Sequence, residues 1–131
     1  MSLFDKTTDA LATSLAMRQI RHNVTSANIA NAETPNYHAK KVDFEAALAQ
    51  ALDGNNSLNA TNGDHFLSGG AAAVEPGIYE NPDVSVGNDG NTVDLEKEMS
   101  ALAENSILYK TALQLINKKM AAMKYAISES R

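Results

Sequence analysis

Cysteine and tryptophan are both absent from the 131 residues. Without a thiol there is no disulfide, no thiolate nucleophile and no cysteine-ligated metal. Aromatic side chains make up 5% of the chain, which disfavours a core built around large rings. A net charge of −5 argues against a nucleic-acid or anionic-membrane partner. No apolar run is long enough to span a bilayer. The opening residues MSLFDKTTDALATSL lack the basic region and the unbroken apolar stretch of a secretory leader. They predict a chain that stays in the cytosol or leaves it without a cleaved signal.

Basic residues are missing from one whole segment. Positions 42–96 hold ten acids and no Lys or Arg, whereas 1–41 hold five basic and three acidic residues and 97–131 hold six and three. The two ends therefore resemble each other, and the middle differs from both. At this length the chain is one domain's worth of protein, read as an N-terminal helix at 1–33, a turn and short helix at 34–52, an acidic middle at 53–91 and a C-terminal helix at 92–131.

The C-terminal segment carries the clearest periodicity. Leu95, Leu102, Tyr109, Ile116 and Met123 recur every seven residues, and Met99, Ser106, Leu113, Met120 and Ile127 form a second line offset by four. Together they make a heptad seam, with Ser106 its only polar member, that predicts one helix over 94–128. Such a helix is ~50 Å long, against a radius of gyration of ~14 Å for a compact globule of this length. Asp94, Glu96 and Glu98 suit its start and Lys118, Lys119 and Lys124 its end. The segment 2–32 is also helical in pattern, with a capping box at Ser2 and Asp5. Its stripe is Leu3, Ala10, Met17 and Val24, with Thr13, Ile20 and Ala27 between them. Many of these are small, which favours close approach of two helices. The fold class expected is mainly α, its terminal helices paired as a coiled coil.

All seven glycines lie between 54 and 90, so the middle reads as loop. Alternation at 78–79 and 84–86 between turn signals allows a short β-hairpin there, and 43–52 reads as a short helix capped by Asp43.

The first helix must stop where Pro35 removes an amide hydrogen and drives Thr34 out of the helical region. A stop near Ala32 or Glu33 is expected. Asn28 and Asn31 are placed to bond orphan carbonyls of the last turn. Asn36 tolerates a left-handed backbone, and Tyr37 offers a flat face with a polar tip. The stretch is a rigid corner that turns the chain back along the helix; an ordinary C-cap has about equal standing on these residues alone.

The motif ANIANAETPNY at 27–37 resembles the A-N-x-x-N-x-x-T-P-G-Y signature of the bacterial flagellar axial proteins, the rod, hook and hook-associated family. HAKKVDFEAAL at 38–48 and NTVDLEKEMSALAENSILYKTALQLINKKM at 91–120 look most like the proximal rod members. Asn36 stands where the signature has Gly. The resemblance covers about two-thirds of the chain and implies a non-enzymatic structural subunit. Such subunits leave the cytosol unfolded through the flagellar type III export gate and polymerise in the periplasm into a hollow drive shaft. Implied partners are other rod proteins, the rod–MS-ring adaptor, the MS ring or export gate, and copies of the chain itself. It assigns Asn28, Asn31, Thr34, Pro35, Asn36 and Tyr37 to an assembly motif. The seam Leu95, Met99, Leu102, Tyr109, Leu113, Ile116, Met120, Met123 and Ile127 then holds the helix pair and the lateral contacts.

Other chemistries are weakly supported. His22, His38 and His65 have no ligand spacing, and Asp83, Asp89 and Asn91 fit no EF-hand loop. Neither a P-loop, a G-x-S-x-G nor a dinucleotide fingerprint occurs, so no cofactor is expected. Asp43, Glu45, Glu75 and Glu80 are not spaced to hold a catalytic carboxylate pair. A cytosolic coiled-coil adaptor or export chaperone would share the helices but would not need the Thr-Pro-Asn-Tyr corner; a sister rod protein would share the axial motifs.

Overall fold

A computed structural model of the chain describes residues 6–53 and 77–130. The Ser2–Asp5 cap, Leu3, His65 and the loop reading of 54–74 lie outside the described residues. Five elements follow in order: α1 (Lys6–Ala30), β1 (Lys40–Val42), α2 (Phe44–Asp53), β2 (Ile78–Glu80) and α3 (Leu95–Glu129). The molecule is mainly helical, and its two long helices pack on each other.

Each start has a local cause. Asp94, in an extended conformation (φ −98°, ψ 102°), accepts a hydrogen bond from the Lys97 N–H and caps α3. Asp43 does the same for α2, accepting from Ala46 N–H at 3.4 Å. Helix α1 ends at Ala30, slightly before the expected Ala32 or Glu33. Its last turn closes through Asn31 N–H to the Ala27 and Asn28 carbonyls, and the Thr34 N–H then bonds the Asn31 carbonyl.

The helices α1 and α3 run antiparallel: Asn28, late in α1, reaches Glu98 at the start of α3, and Arg18 reaches Asn105. Buried or half-buried positions of α3 recur at Glu98, Leu102, Asn105, Tyr109, Ala112, Ile116, Lys119 and Met123, with Ser106 half-buried beside them. The four-three spacing is that of a helix seam, and Asn105 and Ala112 are its most buried members. On the other side of α1, Met17 packs with Val42 of β1 and Ala47 of α2, with Ile20, Val24 and Phe44 against them. The Arg18 and Arg21 guanidinium groups lie 4.8 and 5.5 Å from the Phe44 ring centre, tying α2 to α1 through cation–π contact.

The two strands pair antiparallel, Lys40 opposite Glu80, Lys41 opposite Tyr79 and Val42 opposite Ile78. The small sheet is present, but its pairing differs from the expectation. Residues 84–86 form no strand, because turns enclose them: Asp83 N–H folds back onto Asn81 Oδ1, and Gly90 N–H bonds the Gly87 carbonyl. The partner of Ile78–Glu80 comes from before α2.

Candidate functional site

The corner after α1 is organised by Asn28, which is 1% exposed. Ladder bonds at the two ends of β1 fall on Ala39, whose carbonyl accepts from Asn81, and on Asp43, whose N–H donates to Gly77. In an antiparallel pair alternate residues point their N–H and C=O outward, so Lys40 turns its backbone away from β2. Asn28 takes both groups: its Nδ2 donates to the Lys40 carbonyl at 2.8 Å and its Oδ1 accepts from the Lys40 N–H at 3.0 Å. The carboxamide stands in for a third strand at the sheet edge. Its remaining capacity goes to Tyr37 Oη, which donates to Oδ1 at 3.2 Å, and to Glu98 Oε2, which accepts from Nδ2 at 3.2 Å. One side chain thus joins α1, the corner, β1 and α3. This corrects the expectation that Asn28 caps its own helix. Asn31 does fill that role, its Nδ2 donating to the Ala27 carbonyl at 2.8 Å.

The rest of the corner follows from the backbone. Thr34 Oγ1 donates to Asn31 Oδ1 at 3.1 Å. Asn36 has φ 58°, the left-handed conformation expected for it. Thr34, Pro35 and Asn36 face solvent, while Tyr37 is half-buried. Burial, and then the nearby Glu98 carboxylate, hold the Tyr37 phenol above its ordinary range.

A second segment closes over this corner. Asn91 is buried, and its Nδ2 donates to the carbonyls of both Asn31 (2.8 Å) and Thr34 (2.7 Å). Thr92 N–H bonds the Tyr37 carbonyl, Asn36 N–H bonds the Asp89 carbonyl, and Thr92 Oγ1 accepts from Ala39 N–H. Gly90 has φ +78°, and a Cβ there would run into Asn36 Oδ1, so a side chain is excluded twice over. The loop through Asp89 and Asn91 is therefore a clamp on the corner. Asp89 Oδ1 accepts from the Asn91 N–H, and no cluster of metal-ligating side chains occurs among the described residues. Sequence reasoning weighed Asn91 only as a calcium ligand and missed Thr92, Asn105 and Arg18. The only signal was the place of Asn91 and Thr92 just ahead of the start of α3.

The seam residues divide. Leu102, Tyr109, Ile116 and Met123 lie half-buried on the stripe that faces α1. Leu95, Met99, Leu113, Met120 and Ile127 are exposed, Met99 at 57% and Met120 at 52%. Within this chain their places against α1 are filled from the line Glu98, Asn105 and Ala112. Asn105 Nδ2 donates to the Arg18 carbonyl at 2.9 Å and its Oδ1 accepts from Arg18 Nη1 at 3.4 Å. Burial, then the neighbouring Arg21, push the Arg18 guanidinium downward, with Glu104 opposing. On the flank opposite Leu113, Leu108 and Leu115 are also exposed.

A model of the flagella basal body rod protein family matches residues 9–38, which take in most of α1 and the whole corner. Similar proteins extend further. A flagellar basal body rod protein FlgB of Cereibacter sphaeroides is 43% identical, covering 88% of this chain and 89% of the relative. The FlgB of Aeromonas hydrophila is 36% identical over 95% and 94%, and that of Bacillus subtilis 35% identical over 98% of each.

Proposed function

The chain belongs to the family of flagellar basal body rod proteins called FlgB, and on that premise we propose that it polymerises through its terminal helices into the hollow shaft that carries motor torque. Family membership makes it a structural component of the flagellar basal body rod. The finer reading concerns how it joins. It crosses the inner membrane through the flagellar export gate without a cleaved signal and assembles in the periplasmic rod. Its neighbours there are other rod subunits, the rod–MS-ring adaptor, and the MS ring or export gate.

One observation supports this most directly. The apolar arc of α3 is wider than one helix covers. From Leu113 on one flank to Leu115 on the other it spans about 160°, at 100° per residue. A two-helix seam needs only the narrow central line, whereas an arc this wide suits a helix packed among several others. α1 covers the centre, and both flanks stay exposed. Burying one such side chain is worth ~1.5–3 kcal/mol, so the flanks offer substantial association energy to neighbouring subunits. In this reading Asn28, Asn31 and Tyr37 hold the corner's shape, and Thr34, Pro35 and Asn36 present it outward.

The test is a strain carrying Met99→Glu, Leu113→Glu and Met120→Glu together, since none of the three is buried within the chain. The exported protein should keep its helical circular dichroism, while isolated basal bodies lack it and the cells do not swim. Normal incorporation and motility with all three charges in place would refute the proposal.

A further inference from the structure

Charge is segregated along the long axis. Residues 77–96 carry Glu80, Asp83, Asp89, Asp94 and Glu96 and no Lys or Arg. They sit at the corner, where α3 begins; Lys40, Lys41 and Lys97 lie there too, with Lys41 3.6 Å from Asp83 and Lys97 3.8 Å from Asp94, and the acids remain in excess. Between Glu104 and Glu129, α3 carries Lys110, Lys118, Lys119 and Lys124 and no acid. With 35 residues, α3 puts the two ends ~50 Å apart. That is several Debye lengths at physiological salt, so the ends of one molecule do not neutralise each other.

Helix-dipole compensation explains only part of the pattern. It acts within the first and last turns, which accounts for Asp94 and Glu96. Glu80 and Asp83 are not on α3, and Lys110 and Lys118 lie more than two turns before Glu129. α3 has 35 residues against 25 in α1; α1 ends at the corner and α3 starts there, so the last ten or so residues of α3 lie beyond Lys6, the first described residue of α1. Met120, Tyr125 and Ile127 are exposed there. Val86, Leu95 and Met99 are exposed at the acidic end. Each end therefore combines apolar side chains with an excess of one sign of charge, and the signs are opposite.

We infer that the basic tail of α3 docks on the acidic corner end of a second copy of this chain, head to tail. The inference rests on the polymerising role proposed above and names the contact. Such a joint uses two different surfaces, so each copy keeps one free end and the assembly grows open rather than closing as a dimer. Opposite potentials fix the polarity and speed the encounter, since tail-to-tail and head-to-head meetings set like charges together.

The test uses the purified full chain in sedimentation velocity at low and high salt, with two charge-reversed variants. One is Lys118→Glu/Lys124→Glu, the other Asp83→Lys/Glu96→Lys. Asp83 is exposed, and among the described residues its carboxylate pairs with Lys41 at 3.6 Å. Wild type should form a ladder of growing species at low salt that salt disperses. Each variant alone should associate about tenfold more weakly, from the loss and reversal of two exposed charge pairs. Mixing the two should restore association, because the reversed head then meets the reversed tail. Circular dichroism checks that both stay folded. A wild type that stays monomeric at low salt, variants that associate as wild type does, or a mixture that stays apart would each overturn the head-to-tail contact. Immunodetection of the wild-type chain in isolated basal bodies reads the polymerising role separately. Its presence alongside failed charge exchange removes only this contact; its absence removes the role itself.

Discussion

Replacing Asn28 tests the physical centre of the corner. In Asn28→Ala the Lys40 N–H and C=O lose their partners, as does the Tyr37 hydroxyl. A buried backbone group left unpaired costs about 1–3 kcal/mol. With two such groups, and some relief from water reaching the sheet edge, the expected loss is ~2–4 kcal/mol. That is a large share of the ~5–15 kcal/mol typical of a folded domain. Asn28→Asp should be worse at neutral pH despite its near-identical shape. The acceptor to Lys40 N–H survives, but the donor becomes a carboxylate oxygen 2.8 Å from the Lys40 carbonyl and 3.2 Å from Glu98. Such a carboxylate binds its proton more tightly folded than unfolded. The folded state therefore regains stability as pH falls towards the ordinary carboxylate range near 4, and loses it as pH rises. Urea titration of the full chain, followed by far-UV circular dichroism at pH 7 and pH 4, measures both effects. If Asn28→Ala stays within about 0.5 kcal/mol of wild type, or Asn28→Asp shows no recovery on acidification, the sheet-edge role is wrong.

Gly90→Ala should destabilise by ~1–3 kcal/mol through its positive φ and its collision with Asn36. Asn36→Gly in the same chain should recover part of that loss, a non-additivity read from a double-mutant cycle in urea. Tyr37→Phe should lower stability by about 1 kcal/mol near neutrality. It should also remove a component of alkaline unfolding. The Tyr37 phenol is raised in the folded state, so its stabilisation holds below the ordinary pKa of 10.0 and fades as pH climbs through the folded value. Asn105→Leu leaves the half-buried Arg18 guanidinium without its acceptor. It should lower stability by about 1–3 kcal/mol while admitting more than one helix register, seen as extra peaks in the amide spectrum.

How much was legible follows from how local each cause is. The Asp43 cap, the helical stop before Pro35 and the left-handed Asn36 are decided within a few residues; the cap and Asn36 stand where the residues placed them, the stop comes slightly earlier, and Asp94, expected in the first turn of α3, is its cap. The pairing of Lys40–Val42 with Ile78–Glu80 was not legible. A three-residue strand has too little alternation to announce itself, and its partner lies on the far side of α2. Asn28 looked like a helix cap because nothing in the local pattern says that a strand edge passes beside it. The two heptad lines of α3 are both apolar but for Ser106, so periodicity could not say which faces α1. That choice went to the side where Asn105 meets Arg18 and small Ala112 lets the helices close.

From the amino-acid order alone came two long helices, a stiff corner between them, the charge asymmetry and the resemblance to axial rod proteins. These rest on periodicity, capping and backbone chemistry that act along the chain. The tertiary structure decided what the polar residues of the corner bond, how Asn91 and Thr92 lock it, and which apolar flanks of α3 remain uncovered. These depend on groups far apart in sequence meeting at hydrogen-bonding distance, and only the packed chain brings them together.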